Sequence, residues 1–167
     1  IWKGVKKMVS WKKLLGIGLA AGMLFSTSVT PVAADPVSIL DEITDEETTE
    51  DFSEDTSYNI MRSNNLGFGN MKIQKISSSE IAINGLTQCN HKCKKVYLYI
   101  YLERKVNGSY GTYKYWKFNA SNVTSLEKGL RVAVPSGTYY RVRGYHAASD
   151  GGEKESTSTL TQGILVK

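Results

Sequence analysis

From Asn70 onward, apolar and polar residues alternate with a period of two, and turn-forming residues interrupt the alternation at short intervals. The pattern predicts seven strands, at 70–77, 80–88, 95–105, 110–119, 125–134, 138–148 and 154–166. The connections carry suitable chemistry: Asn107-Gly108 for a tight hairpin, Pro135-Ser136-Gly137 before the sixth strand and Asp150-Gly151-Gly152 before the seventh. No helical periodicity competes. In the third strand Val96, Leu98, Ile100 and Leu102 point one way, whereas Lys95, Tyr97, Tyr99, Tyr101 and Glu103 point the other. The aliphatic set is expected to face a core. The sixth strand alternates likewise, with Tyr140, Val142 and Gly144 on one side and Tyr139, Arg141, Arg143 and Tyr145 on the other. An all-β domain over residues 59–167 is the expectation, long enough to bury one core.

The pattern changes toward the N-terminus. Lys3, Lys6, Lys7, Lys12 and Lys13 precede an apolar run from Leu14 to Phe25, and small residues follow up to Val32-Ala33-Ala34. This is the layout of a secretory signal peptide over residues 1–34, cut between Ala34 and Asp35. The run of 12 residues is short of the ~20 that span a bilayer, and Pro31 stops its helical extension, so no permanent membrane span is expected. Met8 is an equally serviceable start for such a leader.

Removing the leader changes the charge balance, because five of the 21 basic residues lie in it and none of the 16 acidic ones do. The net charge of +5 therefore belongs to the precursor and gives no ground for a nucleic-acid partner. Residues 35–58 hold Asp35, Asp41, Glu42, Asp45, Glu46, Glu47, Glu50, Asp51, Glu54 and Asp55 with no base among them. Residues 59–167 carry the remaining bases against only six acids, a net charge of +10. The acidic stretch is rich in Thr and Ser and lacks apolar periodicity, so it reads as a disordered linker or pro-segment. Two roles are open to it: an acidic strap that screens the basic domain until cleaved, or a solubilising spacer.

Two resemblances attach to these residues. The segment VPSGTYYRVRGYHAA, Val134 to Ala148, followed by a Gly-rich turn and Glu155-Ser156, resembles the end of a fibronectin type III module. That resemblance implies a seven-stranded immunoglobulin-like or fibronectin type III-like β-sandwich and makes Tyr140 the tyrosine-corner residue, its hydroxyl bonding back to the connecting backbone. The strings KVYLYIYLERKVNGSY, VPSGTYYRVRGYHAA and ESTSTLTQG are also similar to small secreted proteins of Gram-positive bacteria, a family of unknown function, over most of 65–167. It implies an export context and brings no established activity.

Cys89 and Cys93 are the only cysteines, and export would place them where a disulfide persists. An extended strand would separate them by about 13 Å, against a limit of ~7 Å between bridged alpha carbons, so a bridge requires a curled connection. Closing so short a loop contributes at most about 2 kcal/mol on the entropic account. A metal site from Cys89, His91 and Cys93 lacks a nearby fourth ligand, and the spacing departs from the CxxC of redox-active pairs.

Catalytic motifs are missing: the only histidines are His91 and His146, and there is no G-x-S-x-G elbow, H-E-x-x-H pair or P-loop. Neither a catalytic residue, a metal nor a cofactor is expected, and a small hydrolase would need a pocket gathering His146 or two of the sparse acids. The candidate site is instead the outward rows Tyr97, Tyr99, Tyr101 and Tyr139, Arg141, Arg143, Tyr145, which share one face if the third and sixth strands are neighbours. Such a face suits sugar rings on Tyr and anionic groups on Arg and Lys, and equally serves as a ladder stabilising an open sheet. Trp116 and Phe118 pose the same question on the fourth strand and are read as buried.

The expected protein is a secreted, non-catalytic domain binding carbohydrate or an anionic cell-wall polymer. Without an LPxTG sequence or a lipobox cysteine, it is expected in the medium or held at the wall by charge. The alternative is a toxin-like or bacteriocin-like effector with a removable acidic pro-segment. Oligomeric state is not encoded in any pattern found.

Overall fold

The computed structural model describes residues 47–59 and 63–167. The expected signal peptide, its cleavage point at Ala34 and Asp35, and residues 35–46 of the expected linker lie outside the described residues. Ten strands follow one another: β1 (Glu47–Thr48), β2 (Phe52–Tyr58), β3 (Leu66–Ser77), β4 (Glu80–Cys93), β5 (Lys95–Val106), β6 (Ser109–Ala120), β7 (Val123–Ala133), β8 (Thr138–Ser149), β9 (Glu155–Leu160) and β10 (Gly163–Val166). Among the described residues there is no helix.

The strands form two sheets. One has the order β1-β10-β8-β5-β6, with β9 also on β8, and the other the order β2-β3-β4-β7. The period-two pattern explains the packing between them. Met71 and Ile73 from β3, Ile81 and Ile83 from β4, Val96, Leu98, Ile100 and Leu102 from β5, Tyr140 and Val142 from β8, and Ile164 and Val166 from β10 are completely buried in one core. Each such aliphatic side chain contributes roughly 1.5–3 kcal/mol.

The expected seven strands become ten for two reasons. The last expected strand is divided at Thr161 and Gln162, where the Val142 amide donates to Thr161 Oγ1 (2.9 Å) while the Thr161 amide donates to the Val142 carbonyl (3.0 Å). A side-chain oxygen thus takes part in the ladder. The larger correction concerns the acidic stretch: its second half, expected to be disordered, is strand. β2 pairs with β3 antiparallel from Phe52 opposite Gln74 to Tyr58 opposite Phe68. Its inward residues are polar because they serve the edge of the other sheet. Ser53 Oγ accepts from the Gln162 amide (2.9 Å), Asp55 Oδ2 from the Leu160 amide (2.7 Å), and Ser57 Oγ bonds Thr157 Oγ1 (2.6 Å).

One imidazole is enclosed between the sheets. His146 is fully buried, with Nδ1 3.0 Å from Thr87 Oγ1 and Nε2 2.9 Å from Thr159 Oγ1. Thr87 donates its own hydroxyl hydrogen to the Tyr97 carbonyl (3.0 Å), so Nδ1–H donates to Thr87 and Nε2 accepts from Thr159. The ring is neutral, and burial pushes its pKa down from 6.5 to about 4. Gly69 makes room for it, since a Cβ there would come within 2.2 Å of the ring.

Candidate binding face

β5 and β8 are hydrogen-bonded neighbours, so the two outward rows named from the sequence lie side by side. Tyr99 is opposite Tyr145, Tyr101 opposite Arg143 and Glu103 opposite Arg141. The Tyr99 and Tyr145 ring centroids are 5.3 Å apart, and Tyr97 meets Tyr99 edge-on at 6.3 Å. Tyr139 sits at the end of β8, where Lys105 Nζ lies 5.9 Å from its ring centroid. All seven candidates are therefore on one face.

β6 adds residues that the sequence analysis did not single out. Tyr115 stacks on Tyr101 with centroids 6.2 Å apart, and Lys117 Nζ stands 5.3 Å from the Tyr99 ring and 5.8 Å from that of Tyr115. Their placement depends on a β-bulge. Val106 pairs with Ser109 across the Asn107-Gly108 turn and the register continues to Glu103 opposite Thr112, but Leu102 then faces Lys114, leaving Tyr113 as the extra residue. An unbroken register would place Trp116 opposite Tyr99 on the outside. The bulge places it opposite Ile100, and Trp116 and Phe118 are half-buried against the core. Tyr113 packs there as well, 6.2 Å from the Tyr140 ring.

Cations alternate with the rings. Arg143 lies 4.3 Å from the Tyr101 centroid and Arg141 4.0 Å from that of Tyr110. Lys154, on the turn before β9, is 5.5 Å from Tyr97 and 5.7 Å from Tyr145. Its hydrogen bond with the Tyr145 side chain raises its pKa. Glu103 ties the guanidiniums together: its carboxylate accepts from Arg141 Nε (2.8 Å) and Arg143 Nε (3.1 Å). With Glu103 7% and Arg141 8% exposed, that pair belongs to the framework. Arg141 is correspondingly withdrawn from the candidate contact surface. Among the described residues no carboxylate pairs with the exposed Lys117 or Lys154, which leaves them among the accessible cations of the face.

The acidic stretch closes one end of this face. Glu47 in β1, which runs parallel to β10, bonds Lys105 (2.5 Å) and the Tyr110 hydroxyl (3.3 Å). Burial, then the Glu47 carboxylate, push the Tyr110 phenol pKa up. Glu155 holds the far side of the fold, accepting from the amides of Asn64, Asn65 and Leu66 and from Ser63 Oγ. Burial raises its pKa, but the Ser63 hydroxyl and those amides outweigh it, and the net direction is down.

The remaining candidates are placed as follows. Tyr140 is fully buried and donates its hydroxyl to the Pro135 carbonyl (2.8 Å). Cys89 and Cys93 are buried as free thiols in an irregular stretch of β4. His91 is exposed, its Nδ1 3.1 Å from the Lys92 carbonyl oxygen. Among the described residues no three of His, Cys, Asp and Glu could hold a metal ion, and no helix is long and apolar enough to cross a membrane.

The fold and this face define an all-β domain of two facing sheets with a ring-and-cation outer surface. The chain belongs to a family described only as a family of unknown function (DUF6147), matched over residues 37–163. Comparison with curated proteins gives no match.

Proposed function

We propose that this is a secreted, non-catalytic protein of a Gram-positive envelope, with an immunoglobulin-like sandwich whose β6–β5–β8 face binds an anionic carbohydrate-type polymer. The observation carrying the reading is the alternation of Lys117, Tyr99, Tyr145 and Lys154 across the strands, with no layer described over them. Tyrosine rings present flat apolar surfaces to sugar or polyol units, while the flanking ammonium groups take phosphate or carboxylate. Strand order supports the sandwich type: β3-β4-β7 in one sheet and β6-β5-β8 with β9 and β10 in the other, together with the Tyr140 to Pro135 bond. The leader over residues 1–34 supports export. An effector released from an acidic pro-segment is less well supported, because a cut near residue 60 would remove β2 from its sheet and leave the Leu160 and Gln162 amides without their acceptors.

Affinity electrophoresis through gels containing poly(glycerol phosphate), polygalacturonate or neutral dextran tests the proposal. Retardation by at least one polyanion, its loss in Lys117→Glu/Lys154→Glu, and no retardation by dextran are expected. Equal mobility of wild type and the double variant in every gel would overturn it.

A further inference from the structure

We infer that Cys89 and Cys93 are oxidised to an intrachain disulfide as β4 folds. The inference is independent of any ligand and rests on the register of β4 against β7. Gln88 is opposite Ser125, and the next pair is Cys93 opposite Val123. β7 thus advances two residues, about 7 Å, while β4 uses five steps that would cover ~17 Å if extended. The surplus chain folds back on itself, which brings Cys89 and Cys93 into the range of the ~7 Å limit on alpha carbons of a bridged pair.

Local bonds hold the bulge in that shape. The Asn65 carbonyl accepts from the Asn90 amide (2.9 Å), and the Cys93 thiol points at the same oxygen (3.8 Å) and at the His91 carbonyl (3.5 Å). The two cysteine side chains are also close enough to perturb each other's ionisation. Cys89 is 5% and Cys93 0% exposed, so a bond between them would be closed off from soluble reductants. Reduced and folded, the pair is inert for the same reason. Burial, then the contact with Cys93, push the Cys89 thiol up to about 12, and burial raises Cys93 too, leaving little thiolate at neutral pH. Oxidation therefore belongs to the folding chain, before β4 closes.

The chemistry is thiol–disulfide exchange with an external disulfide, small-molecule or protein. One cysteine thiolate attacks a sulfur of that disulfide and displaces one thiolate. The second cysteine gives its proton to the released thiolate and attacks the mixed disulfide, displacing the other thiolate. Two cysteine thiols are oxidised and one external disulfide is reduced to two thiols. The bond formed closes the bulge beside the turn 63–66 that Glu155 holds.

The test is refolding of the full chain in a buffer of reduced and oxidised glutathione, followed by acid quench, intact mass and alkylation after unfolding. The expected product has lost two hydrogens and takes up no alkylating agent, whereas folded reduced protein given the same buffer oxidises many-fold more slowly. A Cys89→Ser/Cys93→Ser variant, expected to melt below the oxidised chain, checks that the bridge is seated without strain. Two free thiols, a stable glutathione adduct, a disulfide-linked dimer, or a variant as stable as the oxidised protein would each overturn the inference.

Discussion

The amide of Leu160 donates to the carboxylate of Asp55 at 2.7 Å, across 105 residues of sequence and from one sheet to the edge strand of the other. An acid from a segment with the composition of a disordered tail thereby acts as an edge cap. Asp55→Ala leaves a part-buried amide without its partner and should cost about 1–3 kcal/mol. Exposed Asp51, paired with Lys75 at the surface, should cost less than about 1 kcal/mol when replaced by alanine. Urea midpoints of the two variants check the contrast, and equal midpoints would refute the edge-cap role.

The enclosed imidazole sets a pH window. Its pKa falls from 6.5 to about 4 on folding, so the unfolded chain binds the proton more tightly. Stability is complete above pH 6.5, declines as the pH falls, and levels off below about 4, for a total loss of about 3 kcal/mol. In His146→Gln this part of the pH dependence should vanish. Denaturant midpoints at neutral pH and just above pH 4 supply the difference; parallel declines in the two proteins would contradict the assignment.

Glu103 separates stability from binding. Glu103→Gln removes the carboxylate that two guanidiniums share and should destabilise the fold by about 3 kcal/mol, in line with breaking a buried pair. It also releases positive charge to the face, so polyanion retardation should increase at a temperature where the variant remains folded. Unchanged stability with weaker retardation would be the opposite of this account.

The register that starts at Lys114 opposite Leu102 sets which face Trp116 occupies. Deleting Tyr113 alone should remove the bulge yet keep Lys114 opposite Leu102 and Trp116 opposite Ile100, whereas deleting Tyr113 and Lys114 together should bring Trp116 opposite Tyr101 on the outside. Trp2 and Trp11 precede Ala34, so Trp116 is the sole tryptophan of residues 35–167. Its emission should shift to longer wavelength in the double deletion and stay unchanged in the single one, and an unshifted spectrum in the double deletion would show that the strand register is not what directs it inward.

These relationships mark how far the sequence could be read. β5 and β8 were legible because strict alternation from Val96 to Leu102 and from Tyr139 to Tyr145 leaves one apolar face. The candidate rows came together because those strands pair. β2 was not legible: its inward residues Ser53, Asp55 and Ser57 meet the amides and hydroxyl of an opposing strand edge rather than an apolar layer, so hydrophobic periodicity carries no trace of it. Tyr115 and Lys117 were missed because one bulged residue shifts the register by one, and Tyr113 looks like any other strand tyrosine. The end of the last expected strand was blurred by Thr161, whose hydroxyl replaces a backbone acceptor.

Amide chemical-shift mapping decides whether the proposed β6–β5–β8 face is where polymer binds. Isotope-labelled protein is titrated with the polyanion that retards it most. Shifts are expected to concentrate at 97–101, 115–117 and 143–145 and to fade as salt is raised. Shifts confined to the outer face of β2, β3, β4 and β7, or none at saturating polymer, would contradict that expectation.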